Sequence, residues 1–341
     1  MVDDSTSLEQ MWGSRTVIDQ IDKLQNQVTK LQLLLRHTPR PGLRMAIHVR
    51  SVTGARIERL SQQFQRTISS RATRSNTTTI TSSMTVAAAP WREAFTSDME
   101  SMKPPNFTLS SVYQVSPSSF LPRARTVVYR GMWASLVPNS KNPATLNAAC
   151  YESDLPTITT DVRMHKVSEL FSASTPAGSS SLSAKGGPIE AVFWAAESNT
   201  QWRLRGHVYM IGPDIDSDHA TSVRESLLPY MRKLHNAEAG TEAPWSWSRE
   251  LTAHFGNVSP SMRGTFRNPP PGTPISEKPE QGLCLGQKVE DVQDGVARQN
   301  FRVLVIVPEE VDRVDLAAAE GGRRWKYTLE GESWKETELW P

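Results

Sequence analysis

The chain has 341 residues, 38% of them hydrophobic and 22% charged, with a formal net charge of +2. That length accommodates one large domain or two ordinary ones, and the near-neutral balance argues against a generally basic nucleic-acid binder. Two cysteines, Cys150 and Cys284, are too few for a disulfide framework or a multi-cysteine zinc site, and no apolar run approaches the roughly 18 residues that span a bilayer, so a soluble, cytoplasmic protein is the expectation.

Val17, Ile21, Leu24, Val28, Leu31 and Leu35 recur at alternating steps of four and three, the seam of a short coiled-coil-like helix within residues 1–35. A helix of that length is marginal alone, so it either docks or self-associates, or it frays. Residues 36–88 read as a disordered segment. Arg36–Arg74 holds nine arginines, no lysine and one acid, Glu58, and grades into a Ser/Thr-rich run with too little apolar surface to offset chain entropy. Initiation at Met45 would turn this stretch into a mitochondrial leader, whereas Asp3, Asp4 and Glu9 spoil that reading for the full chain. A nucleic-acid role would fall to the arginine-rich arm alone.

Nine of the ten tryptophans follow residue 90, which places the packed domain at 89–341. Ala89–Met102 predicts a helix with Pro90 at its first position and Trp91 and Phe95 facing inward. Val127–Tyr129, Thr157–Thr160, Ile189–Glu197, Gln201–Ile211, Phe301–Val307 and Trp325–Leu329 are the strand candidates. Leu155–Leu170 reads as a strand running into a helix, and His219–His235 and Trp245–Phe255 read as helical. Residues 172–187 and 268–299 are Ser/Gly- and Pro/Gly-rich and predict long loops. Six strands with few helices between them imply a mainly β, α+β architecture: a six-stranded antiparallel barrel with flanking helices and a disordered or helical N-terminal extension.

Chemically suggestive residues gather in three places. In Leu121–Arg130, LPRARTVVYR, alternation puts Arg125 on one face with Val127 and Tyr129, and a guanidinium fork matches phosphate oxygens as well as it matches a surface carboxylate. At the strand–helix junction of Leu155–Leu170, Thr159, Thr160, Arg163, His165 and Lys166 assemble hydroxyls and cations suited to an anion. In QWRLRG, Gln201 offers an amide and Gly206 lets the strand bend. The remaining candidates are blander. His207, His219, His235 and His254 lack paired metal spacing and read as surface or capped histidines. Asp214, Asp216 and Asp218 read as a solvated turn, and Trp245 and Trp247 as core cover or a stacking platform.

RTVVYR, TTDVRMHK and QWRLRG, in that order and followed by VSPSMR and RRW, resemble the FMN-binding strands of the pyridoxamine 5′-phosphate oxidase family, a split β-barrel. The resemblance implies FMN as cofactor, with Arg125 and Lys166 near its phosphate and Thr159 and Thr160 beside them. It implies ring contacts from Gln201 and the Val127–Val128 backbone, a contribution around Ser261, and Arg324 reaching in from the last strand. It further implies a homodimer that builds the site between protomers. The small substrate, with or without a phosphate of its own, would be gripped by Arg130 and Arg249 and would pass a hydride to the flavin without any side chain acting as nucleophile. Departures accompany the matches. His165 stands where the family has arginine, with Arg163 as a substitute cation; Trp245 replaces a tyrosine; Glu320 and Gly322 fall where a terminal arginine–histidine motif belongs. The competing reading is a non-catalytic flavin carrier that recruits a partner through its coiled coil.

Overall fold

The computed structural model describes residues 85–116, 118–171, 182–234, 245–317 and 321–341. The expected coiled coil, the arginine-rich arm, the Met45 leader, His235, Glu320 and most of the 172–187 loop lie outside the described residues.

Ten strands follow in order: β1 (Asn106–Ser116), β2 (Ser119–Val128), β3 (Tyr151–Glu152), β4 (Thr157–Asp161), β5 (Ala184–Ala195), β6 (Thr200–Ile211), β7 (Arg232–Lys233), β8 (Phe301–Asp315), β9 (Arg323–Glu330) and β10 (Ser333–Leu339). The helices are α1 (Arg92–Ser101), α2 (His165–Phe171), α3 (Thr221–Leu227), α4 (Trp247–Asn257), α5 (Pro260–Thr265) and α6 (Gly295–Asn300). Eight strands form one antiparallel sheet, and β3 pairs with β7 apart from it.

Six of the eight close into a barrel. β1 pairs with β2 and β5, β5 with β6, β6 with β8, and β8 with β4. The ring closes just beyond β2, where the Arg130 N–H donates to the Thr157 carbonyl and the Thr157 N–H to the Gly131 carbonyl, each at 2.9 Å. β8 is long enough to fork. Its residues 301–305 pair with β4, while residues 310–315 pair with β9, which carries β10 at its outer edge. The expected set of six strands therefore needs correction: Asn106–Ser116 belongs to the ring, and Trp325–Leu329 lies in the branch outside it.

The apolar run Val303–Val307 in β8 is buried on both faces, which is why it does not alternate with polar residues. Leu304 and Ile306 face the barrel interior with Phe107, Phe193 and Trp202, whereas Val303, Val305 and Val307 face a second core with Trp133, Leu251 and Phe255. α1 stoppers the first core. Its Phe95 meets Trp91, Phe193 and Trp202 edge-on at 5.1–5.7 Å, and buried Asp98 accepts the Trp202 indole N–H at 2.7 Å. Trp91 and Phe95 are inward as expected, but Pro90 sits in the preceding turn rather than inside the helix. Side-chain caps define the later helices: Ser246, Ser259 and Asp294 accept from the N–H groups of Arg249, Met262 and Ala297. α6 ends the stretch expected to be loop, and the helical reading of His219–His235 resolves into α3 between two 3-10 turns.

Gly206 stands at a register shift where β6 meets β8, and a Cβ there would overlap the Val307 carbonyl oxygen. Because the obstacle is backbone in the buried run of β8, Gly206→Ala is expected to destabilise the fold by about 3 kcal/mol. Chemical denaturation measures this, and an unchanged midpoint would contradict the close approach.

Candidate functional site

The junction between β4 and α2 is built by one short-range device. Asp161, at the end of β4, accepts the Arg163 backbone N–H at 2.8 Å and holds its guanidinium through Nε at 2.9 Å and Nη2 at 2.6 Å. The same guanidinium donates to the carbonyls of Asn268 and Phe266 at 3.0 and 3.3 Å, fastening the segment after α5 to the junction. Arg163 is thereby committed to the frame, so the cation absent at position 165 is not free to come from it. His165 itself is exposed at the start of α2, beside Gly272.

A cavity of about 800 Å³ opens at this junction, with Thr159, Thr160 and Lys166 on one wall and Met262, Phe266 and the proline-rich segment from Asn268 on the other. Lys166 is the informative group. Its ammonium reaches the Thr160 hydroxyl at 3.2 Å and the Met164 sulfur at 2.9 Å, and among the described residues no carboxylate lies within ion-pair distance of it. Burial and the neighbouring Arg125 guanidinium push its pKa down, against the pull of Asp161 and Glu169. An underpaired cation beside hydroxyls, in a partly desolvated cavity with apolar walls, suits a molecule with an anionic tail and a flat apolar body.

Arg125 backs this group from β2. It donates to Ser111 Oγ at 2.7 Å and forms a close ion pair with Glu169 of α2, whose side chain is only 10% exposed. Neither Ser111 nor Glu169 was singled out in the sequence. Glu169 stands three residues after Lys166, one helical turn on, which was the available signal. Val127 packs on the barrel core, and Ser261 is exposed on α5 while its neighbour Met262 lines the cavity.

Gln201 and Arg324 lie elsewhere. Both pair with Val314, whereas Thr159 pairs with Val303, eleven residues away on β8, or roughly 35 Å of extended strand. Arg324 is held by Asp312, which also binds Arg203, at 2.7 and 3.1 Å. One copy of the chain therefore assembles Arg125, Thr159, Thr160 and Lys166 but separates them from Gln201 and Arg324.

A second cavity, about 460 Å³, lies between α1, the end of β2 and α4, and Val128, Tyr129, Arg130 and His254 line it. Arg130 makes no ion pair among the described residues, and its buried Nε has no hydrogen-bond partner. Arg249 is not among the lining residues; its Nη1 points toward Asn147 Oδ1 at 3.5 Å. His254 corrects the surface reading, being 1% exposed and stacked on Trp133 at 5.6 Å, with Trp247 also stacked on Trp133 at 5.8 Å and Trp245 edge-on to both tryptophans. Burial, helped by the Arg130 charge, pushes its pKa down to about 3. Burial raises the pKa of Glu250, whose Oε1 lies 3.8 Å from His254 Nε2.

Among the described residues, no group of three or more His, Cys, Asp or Glu could hold a metal, and no helix is long and apolar enough to cross a membrane.

Residues 88–212 match the family described as "Pyridoxamine 5′-phosphate oxidase, FMN-binding domain". That segment is an FMN-binding domain of the pyridoxamine 5′-phosphate oxidase type, and the cofactor of such a domain is FMN. Uncharacterized protein YGR017W of Saccharomyces cerevisiae is 26% identical over 103 residues, 29% of this chain, and the chain spans about a third (35%) of that relative's length. A pyridoxamine 5′-phosphate oxidase-related, FMN binding protein from Nostoc punctiforme is similar at 19% identity and a TM-score of 0.44, covering 75% of this chain and 99% of its own. PhzG from Burkholderia lata, in complex with tetrahydrophenazine-1-carboxylic acid, has 11% identity and a TM-score of 0.34 over the same shares.

The buried histidine sets a pH dependence. His254 is neutral in the fold, while the unfolded chain takes up its proton near pH 6.5; the stability it contributes is complete above that pH and is lost as pH falls toward 3. The slope is about 1.4 kcal/mol per pH unit, and the raised Glu250 pKa acts in the opposite sense above pH 4.5. His254→Gln should therefore lose less stability than the parent between pH 7 and pH 5. Parallel urea titrations at the two pH values check this, and equal losses would refute it.

Proposed function

We propose that the chain is an FMN-dependent oxidoreductase whose Lys166 cavity takes the phosphate end of the cofactor and whose Arg130 cavity receives a small substrate. The observation that carries this reading is the half-buried Lys166 ammonium, without a carboxylate partner, between the Thr160 hydroxyl and Arg125. When bound, FMN supplies the hydride acceptor. The protein's own part is to bind and orient. Lys166 meets phosphate oxygens, with Arg125 adding positive charge from behind it and Thr159 and Thr160 adding hydroxyl contacts. Met262, Phe266 and the proline-rich wall exclude water from the flat part of the ligand.

Gln201 and Arg324 join this site only from a second copy of the chain, which is the reason for proposing a homodimer. Tens of ångströms of strand separate them from Lys166 within one copy, so an isolated chain offers an incomplete set of contacts. A small substrate without a required phosphate fits the sequence better than the phosphorylated vitamin, because Glu320 and Gly322 stand where a phosphate-binding arginine and histidine belong in the resembling oxidases.

A non-catalytic flavin carrier is the second reading, and the Arg125–Glu169 pair favours it, since an internal carboxylate loosens the grip on a phosphate. Visible absorbance of the purified protein and the mass of any released ligand test flavin binding. Peroxide release on turnover of candidate amines or alcohols separates oxidase from carrier.

Arg125→Ala combined with Lys166→Ala is expected to weaken FMN binding at least 100-fold, at about 1.5–3 kcal/mol for each charged contact, while riboflavin, lacking the phosphate, is affected little. Fluorescence titration of flavin-free protein provides the measurement. Equal losses for both flavins, or none for FMN, would remove the phosphate assignment.

A further inference from the structure

The Arg130 cavity is lined by Arg92, Glu100, Tyr129, Arg130 and His254 among others. Its charges are unequal in availability. Arg92 on its wall is paired with Glu152 at 2.9 Å and Asp154 at 3.4 Å. His254 is wholly buried and neutral. That leaves Arg130 as the cation on this wall with no carboxylate partner among the described residues. The Arg130 side chain is partly exposed at the cavity, and its Nε has no hydrogen-bond partner among the described residues. Desolvated polar groups left in this state cost free energy unless a ligand completes them. Glu100, from the last turn of α1, lines the same cavity, and no ion pair holds it among the described residues.

We infer that this cavity binds a small monocarboxylate, with Arg130 clasping the carboxylate and Glu100 turning dianions away. The inference rests on the reading of this cavity as the substrate site and names the class of molecule it takes. A planar guanidinium presents paired N–H donors at the spacing of two carboxylate oxygens, so one arginine satisfies one carboxylate. A phosphate ester brings nearly two negative charges and needs a second unpaired cation; Arg92 on this wall is committed to Glu152 and Asp154, and Arg249 is not on it. Glu100 adds repulsion that grows with the charge of the ligand. Tyr129 also lines the cavity, and burial raises its pKa, so it stays un-ionised. Met99, Val128, Met132 and Val258 give the remaining wall an apolar character suited to a hydrocarbon body.

Benzoate and phenyl phosphate share a ring and differ in the charged head, so the pair tests the head alone. Calorimetric titration of the full chain, with and without bound flavin, is expected to show benzoate binding at least ten-fold tighter than phenyl phosphate. Arg130→Met should abolish most of the benzoate affinity. Glu100→Gln, on an exposed helix end that does not threaten folding, should improve phenyl phosphate several-fold and leave benzoate nearly unchanged. Phenyl phosphate binding as tightly as benzoate, with both lost in Arg130→Met, would overturn the carboxylate preference and leave the substrate-site reading standing. Absence of benzoate binding, or binding indifferent to Arg130→Met, would overturn both.

Discussion

The reciprocal backbone bonds between Arg130–Gly131 and Thr157 are the constraint on which the rest depends. Each contributes only about 1 kcal/mol, but together they join the strand carrying the arginines to the strand carrying the threonines and turn an open sheet into a closed ring. Closure also decides where the two arginines of one short segment go. Arg125 lies within β2, whereas Arg130 lies two residues past its end at Val128, where the bond to Thr157 fixes its backbone. Arg125 meets Ser111 and Glu169 at the barrel side, while Arg130 meets the α4 side beside His254.

Electrostatics in the Lys166 cavity is a balance rather than a simple attraction. Glu169 neutralises Arg125 at short range, and a bound phosphate would have to share that guanidinium. At an effective dielectric near 20, unit charges about 4 Å apart interact by on the order of 4 kcal/mol, so a dianion at similar distance outweighs a single carboxylate, and Lys166 adds to its side. Glu169 therefore reduces the hold on phosphate without abolishing it. In the absence of phosphate it has a separate effect, offsetting the repulsion between Arg125 and Lys166 in a partly buried space; the Lys166 pKa is depressed by burial first and by Arg125 second.

Much of this was legible in the sequence where a local pattern and a tertiary requirement coincide. Val303–Val307 reads as a strand covered on both sides because nothing polar interrupts it, and β4 running into α2 is visible in the shift from TITT to HKVSELF. β1 escaped for a physical reason. Phe107 and Leu109 alternate inward, but the next inward residue is Ser111, whose burial is made acceptable by Arg125 and Glu169, partners that no local window contains. β10 is an edge strand of mostly exposed polar residues whose pattern carries no burial signal. Arg163 looked like a phosphate cation because its spacing fits; its use as a brace depends on carbonyls more than a hundred residues away. His254 looked superficial because nothing nearby in sequence announces the tryptophan stack that covers it.

The outer face of the forked sheet follows from the same alternation. Trp202 and Leu204 of β6 point into the core, so Gln201, Arg203 and Arg205 point outward. Arg203 and Arg324 converge on Asp312, and Arg205 and Lys326 on Glu310, which gives two adjacent rungs of cation, acid, cation across β6, β8 and β9. Each rung carries more positive than negative charge, and Asp312 is far more buried than the arginines around it. A surface organised in this way holds its guanidinium groups in fixed positions with donors still facing outward. Gln201 lies one rung beyond, level with Arg324. In a single copy these groups serve only the sheet itself; opposite the Lys166 cavity of a second copy, they would present a rigid, positively biased wall to whatever anion that cavity holds.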